Sequence, residues 1–275
     1  MTLAAGLVGA AAAHGAAALD DPDPAPVRGA VPRLAAARPA AATARAAAPP
    51  LPAAVPPPAG VVSRLPGEGN LLALTIDDGT SDAVVSAYLA LARRTGLRLT
   101  FFPNGVYNSW TKHARTLRPL IESGQIAIGN HTWSHPDLTT LSDADVAGEI
   151  TRNKTFLRKT LGVRDTPFFR PPYGAHDARV DRIAADLGHP TVALWYGTLG
   201  DDKVITAPDI VAGAQQWFVA QRIVIGHANH TAVTTVMNKL AELIAERHLR
   251  TVTLADVWAA PKPAARAAAT SSRHP

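Results

Sequence analysis

Between residues 67 and 260 short apolar runs alternate with helical patterns, and this alternation limits the fold more than any other feature of the chain. The runs cover 71–76, 97–102, 125–128, 167–170, 191–195, 222–225 and 251–254. Each has the length of a strand. Between them, 81–94, 111–123, 142–161, 177–187, 208–220 and 231–247 carry apolar residues at helical spacing. Gly96, Gly124, Gly162 and Gly188 close four of these helices, and Ser142 with Asp145 three residues on predicts a capping box. Repeated strand–helix units imply a parallel sheet covered by helices. The region is shorter than the roughly 250 residues of a full eight-unit barrel. The expectation is an α/β fold, an incomplete (β/α) barrel of about seven parallel strands. A doubly wound open sheet is the alternative.

The flanks differ in kind. Residues 1–66 hold 24 Ala and 12 of the 23 Pro, too little apolar variety to pack a core. Within them, residues 1–18 resemble a secretory signal, apolar and then small, although no Lys or Arg precedes Arg28. Residues 19–66 read as an extended, disordered Ala/Pro-rich linker, 67–260 as the folded domain, and 261–275 as a disordered basic tail. Export to the cell surface, cell wall or medium is expected.

Charge and composition remove several classes. The net charge of +5 lies entirely in the flanks, because residues 67–260 carry 19 bases and 19 acids. A neutral domain lacks the basic patch of a nucleic-acid binder. No apolar run is long enough for a membrane span, so no transmembrane domain is expected. There is no Cys, so any metal must be held by His, carboxylate or water.

Unusual polar residues gather at the ends of the apolar runs. Asp77-Asp78-Gly79 ends the first, and Asn130-His131, with His135, the third. Arg170-Pro171-Pro172-Tyr173-Gly174 ends the fourth. Trp195 ends the fifth, with Asp201 and Asp202 after it, and His227 ends the sixth, with His230 close by. In βα folds the C-terminal strand ends share one rim, where active sites are built. Taken singly, each cluster has an ordinary reading: a turn, a surface His pair, a rigid proline loop, a core His or a packing Trp. Asp77 and Asp78 point to opposite faces of an ideal strand, so a bend at Gly79 is needed to bring both to one cavity.

Together they form a set of parts. One Asp with His131 and His135 suits Zn²⁺ or a similar divalent ion and leaves a position open. Such an ion lowers the pKa of water to about 7. A second carboxylate can take the water's proton, a separate His can protonate a leaving amine, and Arg170 can keep the base carboxylate ionised. These are the needs of amide or ester hydrolysis.

The motifs resemble those of the polysaccharide deacetylases of the NodB-homology type, carbohydrate esterase family 4. Thr75-Ile76-Asp77-Asp78-Gly79, His131-Thr132-Trp133-Ser134-His135, Arg170-Pro171-Pro172-Tyr173-Gly174 and Ile225-Gly226-His227 stand in that family's order. The resemblance implies a distorted (β/α) barrel and an acetylated polysaccharide as substrate. It implies Asp77 as general base, Arg170 as its tether and His227 as general acid. Asp78, His131 and His135 would be the metal ligands. The Tyr173 amide would receive the oxyanion, with Trp195 and Ile225 on the substrate side. The metal is expected to be Zn, with Co, Mn or Ni as alternatives, and the protein a monomer.

One motif departs from the pattern. Where the family has Asp-Trp, this chain has Asp201-Asp202, which makes Asp201 the expected partner of His227 and leaves the groove more open or more polar. Asp202 is a possible substitute, and His230 a lesser candidate acid. The expected activity is metal-dependent removal of N-acetyl or O-acetyl groups from a glycan such as peptidoglycan or chitin. The rivals are an amidase of the same fold acting on a small non-sugar amide and a non-catalytic glycan-binding module.

Overall fold

The computed structural model describes residue 51 and residues 53–259. The chain order is β1 (Gly60–Val62), β2 (Leu71–Asp78), α1 (Asp82–Thr95), β3 (Leu99–Pro103), α2 (Asn108–Glu122), β4 (Ile126–Ile128), α3 (Asp143–Phe156), β5 (Phe168–Phe169), α4 (Ala178–Asp186), β6 (Thr191–Ala193), β7 (Gly197–Thr198), α5 (Ala207–Trp217), β8 (Arg222–His227), α6 (Met237–Glu246), β9 (Arg250–Thr251) and α7 (Leu254–Val257). The paired strands are all parallel. They form two sheets, ordered β1-β6-β5 and β4-β3-β2-β8-β7, with β9 on β2.

Isolated bridges join the sheets into a distorted barrel. Asn130 pairs with Phe169 at one seam, where the Asn130 amide donates to Phe168 and the Arg170 amide to Asn130 (both 2.9 Å). At the other, Arg64 bridges Arg222.

Period-two alternation along β2 sorts its side chains. Leu72, Leu74 and Ile76 face outward into a core shared with α1, α2 and α6. Leu71 and Ala73 face inward, against Phe102, Phe168, Ala193 and Ile223 of other strands. A third apolar layer packs α3 and α4 on β5 and β6 through Val146, Ile150, Phe169, Val180 and Val192.

Six of the seven expected strands have counterparts. Of the seventh, expected over 251–254, only Thr251 is strand, in β9, because Thr253 caps α7 and Leu254 opens it. Two further strands, β1 and β7, were not expected. The segments expected at 1–18 and 261–275 lie outside the described residues. The expected linker over 19–66 differs in its final part, which is built into the domain. β1 pairs with β6 in register Gly60↔Thr191, Leu65 is buried, and the Val55 amide donates to Val257 at 2.9 Å. Composition marks this stretch as linker, yet two valines suffice for an edge strand once a partner strand arrives from far along the chain.

The helices follow the expected starts and stops with local differences. Gly96 caps α1 at φ 75°, as its position predicts. At Ser142 the Asp145 carboxylate accepts from the Ser142 hydroxyl (2.6 Å), while the reciprocal capping boxes form at Thr206/Asp209 and Thr253/Asp256. The helix expected over 231–247 begins as a 3₁₀ segment, Thr231–Thr235, before α6. There the Thr234 and Thr235 hydroxyls bond carbonyls three residues back, which competes with regular helix. No helix among the described residues is long and apolar enough to cross a membrane.

Candidate active site

The inward face of β2 continues Leu71, Ala73, Thr75, Asp77, so alternation alone delivers the Asp77 carboxylate to the barrel mouth. Asp78 then falls on the outward face of an ideal strand. Its own backbone corrects this: Asp78 adopts φ 64°, followed by Gly79 at φ 96°. The bend expected at Gly79 thus begins one residue earlier. A Cβ at Gly79 would collide with the Trp110 indole, whose Nε1 donates to the Asp78 carbonyl at 2.7 Å. Thr132, His135 and Tyr173 also take left-handed φ values, so three of the six such non-glycine residues described, Asp78, His135 and Tyr173, line one cleft, and Thr132 follows its His131. Such backbone strain concentrates where side chains must be aimed.

Asp77, Asp78, His131, His135, Tyr173, Trp195, Ile225 and His227 line this cleft of about 550 Å³. Arg170 and Asp201 lie behind it, fully buried. All ten expected site residues are therefore brought together at the C-terminal rim.

Asp78, His131 and His135 converge. Asp78 Oδ1 lies 3.3 Å from Nε2 of both His131 and His135, and their ligating atoms sit within 4.8 Å of one another. His131 Nδ1–H donates to the Arg170 carbonyl at 2.7 Å, which fixes the neutral tautomer with Nε2 free to ligate. Asp78 Oδ1 is buried with no hydrogen-bond partner. An orphaned carboxylate oxygen facing two imidazole nitrogens fits a divalent cation, whose charge would satisfy it. Burial opposes ionisation of Asp78, but the neighbouring His131, with His135 and His227, holds its carboxyl well below the usual range. Burial and the neighbouring His131 push His135 down to about 4, so it is neutral at pH 7. Burial also lowers His131, but Asp77 and Asp78 outweigh it and leave the imidazole raised in the metal-free site.

Asp77 is held from the other side. Arg170 Nη1 donates to Asp77 Oδ1 at 2.7 Å and to Thr75 Oγ1 at 2.9 Å. Its Nε donates to the Ala193 carbonyl at 2.7 Å, and the guanidinium lies 4.1 Å over the Phe102 ring. Burial pulls the guanidinium's pKa below its ordinary value while Asp77 opposes that. Arg170 also donates to the Leu194 carbonyl, and β6 ends at Ala193, short of the expected Trp195.

His227 continues the inward set Ile223, Ile225 along β8. Its Nδ1 and its backbone amide both lie 3.1 Å from Asp201 Oδ1. Burial alone would lower the imidazole, but the Asp201 hydrogen bond and the charges of Asp77, Asp201 and Asp78 raise it above its ordinary value. Of the two adjacent acids, Asp201 is buried on His227, whereas Asp202 is exposed and lines the cleft. His230 is not among the lining residues.

Asn229, Thr80, Tyr107 and Thr198 line the cleft but escaped sequence reasoning. Asn229 donates to Asp78 Oδ2 at 2.6 Å. Thr75 supports Arg170 and was legible, since it precedes Asp77 by two on the same strand face. A lone Asn after a His carries no such signal.

The family model described as polysaccharide deacetylase matches residues 65–192. In this region the chain is similar to that family. Chitin deacetylase 1 of Saccharomyces cerevisiae is 31% identical over 185 residues, 65% of this chain and 58% of that protein. Peptidoglycan-N-acetylglucosamine deacetylase PgdA of Listeria monocytogenes is 29% identical over 173 residues, 62% of this chain and 35% of that protein. The chain thus spans well under two thirds of either relative's length. Among solved structures, peptidoglycan deacetylase PdaC of Bacillus subtilis superposes with a TM-score of 0.60 at 25% identity, covering 68% of this chain and 88% of that one.

Proposed function

We propose that the protein is a hydrolase that removes acetyl groups from N-acetylglucosamine residues of a chitin-like or peptidoglycan glycan. The observation that carries this is the Asp78–His131–His135 cluster flanked by two different proton-handling pairs, Asp77–Arg170 and His227–Asp201. The relatives named for chitin and for peptidoglycan N-acetylglucosamine share that sugar, which supports the substrate class.

A divalent cation held by Asp78, His131 and His135, with zinc favoured by the His₂Asp donors, would polarise the acetyl carbonyl and acidify a water beside it. Asp77 faces the same cluster, its Oδ2 being 3.5 Å from His131 Nε2, and takes the proton of the attacking water. Arg170 holds the Asp77 carboxylate in place and balances its charge. The Tyr173 amide, in the left-handed turn at the cleft, is assigned to the oxyanion. His227 enters protonated, oriented through Nδ1 by Asp201, and gives a proton to the departing amine. Trp195 and Ile225 form apolar walls for the sugar.

The test is acetate release from chitooligosaccharides, acetylxylan and peptidoglycan by the full chain, stripped with chelator and resupplied with Zn²⁺ or Co²⁺. Metal-restored release from the N-acetylglucosamine substrates supports the reading. Release from acetylxylan alone moves the activity to O-acetyl esters, and none from any substrate overturns it. The same reading places the enzyme outside the cell, supported by the signal-like residues 1–18. Retention of the native protein in the cytoplasm would overturn that placement.

A further inference from the structure

Asn229 lies just beyond β8, and its carboxamide is held at both ends. Its Oδ1 accepts from the Thr80 backbone amide (3.2 Å) and from the Thr80 hydroxyl (3.1 Å). A backbone amide can only donate, so the Asn oxygen must face Thr80. The Nδ2 group is thereby turned to Asp78, where it donates to Oδ2 at 2.6 Å. The surrounding loops are closed on each other by the Ser81 amide to the Ala228 carbonyl (3.0 Å) and the Ala228 amide to the Asp77 carbonyl (2.9 Å). Asn229 therefore sits in a braced position rather than on a free loop.

The consequence falls on the two oxygens of Asp78. Oδ2 is occupied by Asn229, whereas Oδ1 faces both imidazoles without a hydrogen-bond partner. Left alone, a carboxylate at the end of a two-torsion side chain can rotate and offer both oxygens to one cation. We propose that Asn229 is a positioning residue that restricts Asp78 to ligation through Oδ1 alone, keeping the remaining coordination positions open for water and substrate. This rests on the metal-site reading above. Asn229 itself touches neither the cation nor the reacting atoms. Partners that orient ligating groups typically govern metal affinity by ten- to a hundredfold.

The experiment compares wild type, Asn229→Ala, Asn229→Leu and His131→Ala as full chains. Leu keeps the branched shape and heavy-atom count of Asn without its polar groups, so a folding failure of the Ala variant does not end the test, and circular dichroism confirms folding. Two quantities are read: the Zn²⁺ dissociation constant by chelator competition, and the visible d–d absorption of the Co²⁺ form. Release of Oδ2 should weaken Zn²⁺ binding about ten- to a hundredfold. It should also lower the Co²⁺ d–d intensity, because chelation by both oxygens raises the coordination number. Loss of packing alone would not produce that spectral change. Affinities within twofold of wild type, or an unchanged Co²⁺ spectrum, would overturn the role of Asn229 while leaving the metal site intact, provided His131→Ala abolishes binding. Absence of Zn²⁺ binding by the wild type would overturn both.

Discussion

Arg170 Nη1 lies 2.7 Å from Asp77 Oδ1, with the guanidinium wholly inside the barrel and the carboxylate at its mouth. The pair spans 93 positions of sequence. Removing either charge strands the other, and this asymmetry shapes the first two predictions.

Arg170→Ala should lower stability by about 3–5 kcal/mol, because it leaves a buried carboxylate unpaired and empties the space beside Phe102. Thermal melting of the variant is the measurement. A melting temperature equal to wild type would mean that Asp77 finds another partner.

Asp77→Asn keeps the volume and an acceptor for Arg170 but cannot take a proton. Turnover should fall roughly a hundred- to ten-thousandfold while Zn²⁺ binding persists. Full activity in this variant would remove Asp77 from the role of base.

Asp201→Asn tests the acid. The folded His227 has a raised pKa, so its protonated form survives to higher pH than an ordinary imidazole near 6.5. Any stability from this interaction is present below the unfolded value and lost as pH rises through the folded one. Activity that needs protonated His227 likewise declines on the alkaline side. Replacing Asp201 by Asn withdraws a charge that supports the imidazolium. The alkaline limb of kcat/KM should therefore move to lower pH, and a limb that stays in place would argue that His227 is not the titrating acid.

Zn²⁺ at a hundred times its dissociation constant should stabilise the folded chain by about 2.7 kcal/mol. Chelator should reverse the gain in melting temperature. His131→Ala should show no gain at all, and an equal gain in that variant would place the bound ion elsewhere.

Gly79→Ala introduces a methyl group against the Trp110 indole at a residue with φ 96°. Overpacking of this kind costs about 1–3 kcal/mol, before backbone strain is counted. Because Trp110 also holds the Asp78 carbonyl, weaker Zn²⁺ affinity should accompany the lower melting temperature. Normal values of both would mean that the first turn after β2 relaxes without cost.

The strand–helix alternation and the rim position of the polar clusters were legible in residue order, and the structure gathers the ten residues named from them at one cleft. Periodicity is a local property, and a chain of parallel βα units leaves its C-terminal strand ends on one side whatever the details of packing. β1 was hidden because two valines among prolines become a strand only when Thr191–Ala193 supplies the edge. The choice between Asp201 and Asp202 also had to wait for the fold. Adjacent identical acids are indistinguishable in one dimension, and it is burial beneath His227 that separates them. Asn229 was invisible for the same reason. Its meaning comes from an oxygen of Asp78, 151 positions away, and from the donors of Thr80 that fix which end of its amide points there. The sequence carries the chemical groups and their order along the chain. Which atom of each group meets which neighbour is set by closure of the barrel, because only then do distant side chains compete for the same few hydrogen-bonding positions.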